Sequence, residues 1–451
     1  MAEHLNQIIH QGFAYQWNDR AFLNREQVAY GLSELWRLAA GSAEWKGPPA
    51  ITFSSIDPVT VMRMLDAPAG SMPWIALADV SPQAWQIPFD TSRLPALCQI
   101  AAGDARYEGR GVFPLDLVAA TFMGLTRWEE WKRPEPDQFG CHKEDATLES
   151  RQGFRDRPAL DEWAVVLRAW LSVADTSWSA KLPAFRVDFS HDIDVLRTYT
   201  SLLRVARSFA RKLFRERRGF SSLAALSEGL AALRDPSRDP CVTAFDTLME
   251  FSEAHGVRST FFFMAAQPGD FDDGYAVESQ LFKTLVRRIK ERDHCLGWHP
   301  GYQAAEDGSV FAQEFRRICE ALEVPSVGVR HHFLRWRAGF SWRRLASMGI
   351  PFDASVGYNY CLGFRASTAR AYPAFDLDAN TPLALEVRPL VIMDGPLQNH
   401  ASPVDRSVTV LANRCARVNG TLSVLVHNYT LMNSPDLLAS IASGLRAVEA
   451  A

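Results

Sequence analysis

The stretch Phe189-Ser190-His191-Asp192-Ile193-Asp194 closes an apolar run with two aspartates two residues apart. In an extended strand alternate side chains share a face, so Asp192 and Asp194 point the same way. Adjacent carboxylates repel, and one keeps its proton unless a cation or a proton donor compensates. A metal ion relieves the conflict: one carboxylate ligates it, and the other is free to act as a base toward water. The bland alternative is a solvated loop whose aspartate caps the next helix. Three later histidines favour the metal. They are His299 in Gly297-Trp298-His299-Pro300-Gly301-Tyr302, His332 in Gly328-Val329-Arg330-His331-His332-Phe333, and His427 in Leu425-Val426-His427-Asn428.

Residues so far apart in sequence need a scaffold that gathers them. Short apolar runs predict strands at Phe185 to Ser190, Ser259 to Met264, Cys295 to Trp298, Gly328 to Arg330, Leu385 to Arg388 and Ser423 to His427. Helical periodicity lies between them, as at Leu281 to Arg292, Phe311 to Leu322 and Pro435 to Glu449. Such alternation predicts a parallel α/β sheet or barrel, in which chemistry gathers at the carboxyl ends of the strands. Asp192, Asp194, His299, His332 and His427 each fall at or just past such an end. The earlier part of the chain reads as mixed α/β. Strands are expected at Ala50 to Phe53 and Trp74 to Ala78, and helices at Leu115 to Leu125 and Leu160 to Leu171. A linker around Asp175 to Lys181 divides an N-terminal α/β domain of unknown role, residues 1–178, from a catalytic domain, residues 182–451.

Taken in order, these motifs resemble the polysaccharide deacetylase (NodB-homology) family of metal-dependent carbohydrate esterases. The likeness is to the branch with a His-Asp-x-Asp first motif and a preceding α/β domain. It extends to Phe352-Asp353-Ala354-Ser355, Gly363-Phe364-Arg365-Ala366-Ser367 and Glu386-Val387-Arg388-Pro389-Leu390-Val391-Ile392-Met393-Asp394. In the first domain it includes Phe113-Pro114-Leu115-Asp116 and Gly153-Phe154-Arg155-Asp156. The resemblance implies a distorted (β/α) barrel with fewer than eight strands. It implies Asp192 as general base, Arg330 as the arginine that holds it, and His427 as general acid. It implies Asp194 and His299 as ligands of a divalent metal, zinc being the expected ion, whose bound water titrates at about pH 7. Where the family has a second motif histidine this chain has Gln303, and an amide is a poor zinc ligand. His332 or His331 fills the vacancy, His332 being preferred because that branch carries a histidine there.

Other features divide between function and plain structure. His191, His255 and His294 suit packing or hydrogen bonding, and His4, His10, His142 and His400 are expected at the surface. Leu202 to Arg218 is a basic amphipathic helix, either an ordinary surface helix or a weak peripheral contact with an anionic membrane or glycan. Trp298, Tyr302, Phe333, Trp336 and Trp342 suit either sugar stacking or a core. Asp272-Asp273-Gly274 reads as a turn.

A hydrophobic content of 47% with 22% charged residues describes a globular protein with a substantial core. A net charge of −4 gives no basic face for nucleic acid. Seven scattered cysteines, with no Cys-x-x-Cys pair, argue against a disulfide framework or a thiolate metal site. No apolar run spans a bilayer, and the first residues lack a signal-peptide pattern, so a cytoplasmic setting is expected. The expected activity is removal of an N-acetyl group from a sugar-containing substrate such as a glycan precursor. The alternatives are a catalytically degenerate carbohydrate-binding or scaffold protein, and a non-sugar amide hydrolase on the same fold.

Overall fold

The computed structural model describes residues 6–82, 92–100, 107–109, 111–210 and 219–448. It is a mixed α/β structure in which one large sheet carries most of the second part. The N-terminal part holds a small sheet of β1 (Asn6–His10), β2 (Phe13–Trp17) and β3 (Ile51–Ser54), with β1 antiparallel and β3 parallel to β2. It also holds a two-stranded ribbon of β4 (Trp74–Ala76) and β5 (Arg93–Pro95). The expected strand at Trp74 to Ala78 stops at Ala76, where a short helix, Leu77–Val80, begins. The two predicted helices run Leu117–Thr126 and Ala159–Ala174. The first starts where the Asp116 carboxylate accepts the Ala119 N–H at 2.9 Å.

The second part contributes β6 (Arg186–Ile193), β7 (Thr260–Met264), β8 (Cys295–His299), β9 (Gly328–Val329), β10 (Phe352–Asp353), β11 (Tyr372–Asp376), β12 (Thr381–Val387), β13 (Ile392–Met393) and β14 (Thr421–Leu425). They form one sheet in the order β11-β12-β10-β9-β8-β7-β6-β14-β13. Every pairing is parallel except β11 with β12. Parallel strands are covered on both faces, which explains a run such as Thr260-Phe261-Phe262-Phe263-Met264 with no polar alternation. Helices between strands cover one face. On the other, Asp188 and Ser190 of β6, Thr260 and Phe262 of β7, Phe352 of β10 and Ser423 of β14 line one cavity of about 260 Å³. The sheet therefore curves around that cavity.

The expected linker is tied down: Lys181 bridges to Gly41, and the Trp178 indole donates to the Glu44 carbonyl at 3.1 Å. One hydrophobic core runs through both parts of the chain. Helix Arg25–Ala40 crosses helix Leu117–Thr126 closely enough that a Cβ on Gly31 would meet the Val118 carbonyl at 2.7 Å, so only glycine fits there. Tyr30 and Phe122 pack their rings on Phe375 of β11 at 5.0 and 5.3 Å. Of the basic helix, Leu202–Ala210 is helical, while residues 211–218 lie outside the described residues. Among the described residues no helix is long and apolar enough to cross a membrane.

A buried ion network joins the two parts. Arg365 donates to both oxygens of Glu130 at 3.0 and 2.9 Å, and Arg127 spans Glu130 and Glu149 at 2.9 and 2.7 Å. Burial pushes the Glu130 carboxyl up, but Arg365 and Arg127 outweigh it and hold it at about 2. Removing one partner strands a buried charge, so Glu130→Ala should cost about 3–5 kcal/mol in denaturant titration. The folded pKa lies below the ordinary 4.5, so this stabilisation is complete above that pH. It fades as pH falls toward 2, and an acid titration should show a weaker pH dependence there in the variant.

Candidate metal centre

Adjacent parallel strands deliver the candidate residues to one edge of the sheet. Asp192 is the penultimate residue of β6 and Asp194 follows its end. His299 ends β8, Arg330 and His332 follow β9, and His427 follows β14. This is the carboxyl edge, where side chains from neighbouring strands converge.

Each histidine is held by its Nδ1, which leaves Nε2 facing the cluster. His299 Nδ1 lies 2.6 Å from the Arg330 carbonyl, His332 Nδ1 2.8 Å from Asp272 Oδ1, and His427 Nδ1 2.8 Å from Asp394 Oδ1. A carbonyl or carboxylate partner makes Nδ1 the donor, so Nε2 presents its lone pair in the neutral ring. Around Asp194, Nε2 of His299 stands 3.1 Å from Oδ1, and the Nε2 atoms of His427 and His332 stand 3.6 and 3.9 Å from Oδ2. Ligating atoms of Asp194, His299 and His332 all lie within 4.8 Å of one another. His427 is not part of that cluster.

Asp194 Oδ1 and His299 Nε2 are buried and face each other, and neither makes a well-aligned hydrogen bond. Two orphaned polar atoms at 3.1 Å, facing a third donor, are what a cation would satisfy. One carboxylate with two imidazoles also suits a divalent ion such as zinc, whose catalytic sites keep three protein ligands. The residues present fit the implied metal.

Electrostatics agree with that placement. Burial opposes ionisation of Asp194, yet the surrounding His299, His427 and His332 hold its carboxyl far below the usual range. Burial lowers the His427 pKa, but Asp394, by charge and hydrogen bond, and then Asp194 carry it up to about 10. Beside them, Arg330 Nη1 donates to Asp192 Oδ1 at 3.0 Å and to Ser190 Oγ at 2.9 Å, while its Nε donates to the Ala354 carbonyl. Asp192 is 2% exposed, and its Oδ2 lies 3.9 Å from His299 Nδ1. The arrangement offers a cation cradle flanked by a pinned carboxylate and a protonated imidazole.

Other expectations separate cleanly. Gln303 is exposed on a short 3-10 turn and lines a different cavity, of about 270 Å³, with Glu314. His331 packs on Phe311 and bonds Ser355, and burial pushes its pKa down to about 3. His191 bonds the Val426 carbonyl, and burial lowers it to about 4. His142, expected at the surface, is half-buried and accepts the Glu135 N–H. Trp298, Trp336 and Trp342 are core residues, whereas Tyr302 and Phe333 join Phe139 and Phe271 beside His332.

Two residues that hold the site's histidines were given no site role in the sequence reading. Asp272, read as part of a turn, is buried and takes both the His332 Nδ1 contact and the Tyr302 N–H. Asp394 takes the His427 ring, the His427 N–H and the Thr430 hydroxyl. Asp394 ends an apolar run, the same strand-end signal that marked Asp192. Nothing local marks Asp272.

Residues 71–175 match a family described only as being of unknown function (DUF7033). No curated protein matches the chain.

Asp394 governs the proton on His427, so Asp394→Asn should bring that pKa from about 10 down toward or below the ordinary 6.5. An NMR titration of the His427 ring protons reads this directly.

Proposed function

We propose that the protein is a metal-dependent hydrolase that removes an N-acetyl group from a sugar-containing substrate. The observation that carries the reading is the Asp194–His299–His332 cluster with its orphaned buried atoms, flanked by Asp192 and His427. The order of the motifs along the chain, and strands as far apart in the sheet as β10 and β14 lining one pocket, support a distorted barrel of the polysaccharide deacetylase type. Asp194, His299 and His332 would hold the ion.

A bound divalent cation supplies Lewis acidity, which polarises an acyl carbonyl and makes water acidic enough to react at neutral pH. The remaining work falls to the protein. Asp192 Oδ1 is fixed by Arg330, so Oδ2 is the atom that accepts the proton of the attacking water. His427 carries a proton on Nε2 while Asp394 holds Nδ1, and it delivers that proton to the departing nitrogen. Without this step the leaving group would be an amide anion, far too basic to expel. Arg330 holds Asp192 in place between proton transfers.

The expected metal content is about one equivalent per chain, with a ligand set of this size, and it should be lost in Asp194→Ala and His299→Ala. Asp192→Asn should keep the metal and lose about 10²–10⁴ in kcat, the worth of one general base. Elemental analysis, with acetate release from N-acetylated sugars and from simple amides, measures both. A wild-type protein that takes up no metal after reconstitution would refute the reading. Activity on simple amides alone would move the substrate away from sugars.

A further inference from the structure

The strongest unassigned contact around the centre comes from the other part of the chain. His332 is followed by Phe333, whose backbone is left-handed (φ 58°, ψ 19°), and by Leu334 with φ 48°. Two successive bulky residues in this region are strained, and such a conformation persists only where the surroundings impose it. The surroundings here are specific. The Phe333 ring lies against the His332 ring at 4.2 Å, tilted by 33°, and against the Phe139 ring at 4.9 Å, stacked at 12°. Its carbonyl accepts the Cys141 thiol at 3.3 Å and the Asn359 amide at 2.6 Å.

Phe139 and Cys141 sit on a loop built to present them. Pro136 bridges to His142, and Asp137 Oδ1 accepts both the Phe139 and Cys141 N–H groups at 2.8 and 3.0 Å. Gly140 at the tip has φ 77°, and a Cβ there would lie 2.9 Å from the Arg335 guanidinium. That guanidinium packs over Tyr302 at 4.1 Å and donates to its carbonyl at 2.7 Å. Tyr302 in turn donates its N–H to Asp272, the partner of His332. The loop thus reaches both supports of one imidazole: the ring packed against it and the carboxylate bonded to it.

We propose that Phe139 is a positioning residue for His332, so that the N-terminal part of the chain tunes the metal affinity of a centre built in the C-terminal part. The inference rests on the metal-centre reading above. An imidazole ligand has two side-chain torsions to fix. The Asp272 contact holds one edge of the ring, and Phe333, itself stacked on Phe139, packs against the ring and limits its rotation. Loss of the Phe139 ring removes the packing that offsets the strain at Phe333, lets that backbone relax, and swings the adjacent His332. This loop lies within residues 71–175, and the assignment gives that segment a physical role.

The test is zinc affinity of the full-length protein, measured by chelator competition for wild type, Phe139→Tyr, Phe139→Leu and Phe139→Ala. Thermal unfolding of each metal-free protein runs alongside. Phe139→Tyr keeps the stacked ring and should bind as wild type does. Phe139→Leu keeps bulk without the ring, and with Phe139→Ala it should bind about tenfold or more weakly, the usual scale for residues that orient a metal ligand. The visible spectrum of the cobalt-substituted protein should change in the same two variants. The leucine variant guards against a fold that alanine does not tolerate. Affinities within about twofold of wild type in both ringless variants would overturn the proposal. So would losses that only follow lowered metal-free stability, tyrosine included. A wild type that binds no zinc would instead refute the metal centre itself.

Discussion

A half-buried carboxylate, one oxygen shut off from water and three imidazoles around it, is the constraint from which the rest of this site follows. Asp194 cannot stay ionised in that position without positive charge nearby. Among the described residues, no arginine or lysine forms an ion pair with it; its ion-pair partners are His299, His332 and His427. With Nδ1 of each ring committed to a carbonyl or carboxylate, compensation must come at Nε2, from a proton or from a cation. A cation shared by Asp194, His299 and His332 answers the charge and the orphaned lone pairs together. It also leaves His427 to carry a proton.

Placement of these groups depends on the order of strands rather than on any one loop. Because β6 pairs directly with β14 and β7, and β8 lies between β7 and β9, the residues at four strand ends fall around one point. Arg330 ties that point to the interior. It holds Asp192 with Nη1, reaches the Ala354 carbonyl with Nε, and lies over Phe262, one of the residues lining the cavity beneath. Its backbone carbonyl also fixes the His299 ring. One residue therefore orients both the proposed base, through its side chain, and a proposed ligand, through its backbone carbonyl.

Much of this was legible in the sequence because it was periodic. Apolar runs such as that of β7 announce buried parallel strands, and residues at or just past the ends of β6, β8, β9 and β14 carried the chemistry. The two-residue spacing of Asp192 and Asp194 placed them on one face, and the structure keeps both at the cluster. Shorter or unpatterned features were less readable. The strands β10 and β13 are two residues each, and the antiparallel β11 joins β12 through a turn with no apolar alternation to mark it. Asp272 looked like a turn residue because its partner, His332, is sixty positions away. Phe139 had no signal at all: its role comes from a stack on a residue of the other part of the chain, which no local pattern encodes.

The most direct test of the central claim is an anomalous difference map, collected at the zinc edge from crystals of the full-length protein grown with zinc. The account predicts one dominant peak about 2.0–2.2 Å from an Asp194 carboxylate oxygen, His299 Nε2 and His332 Nε2. It should leave His427 outside the coordination sphere and Asp192 held by Arg330. A map with no peak there, or with the ion bound instead at Glu314 and Asp272, would contradict it.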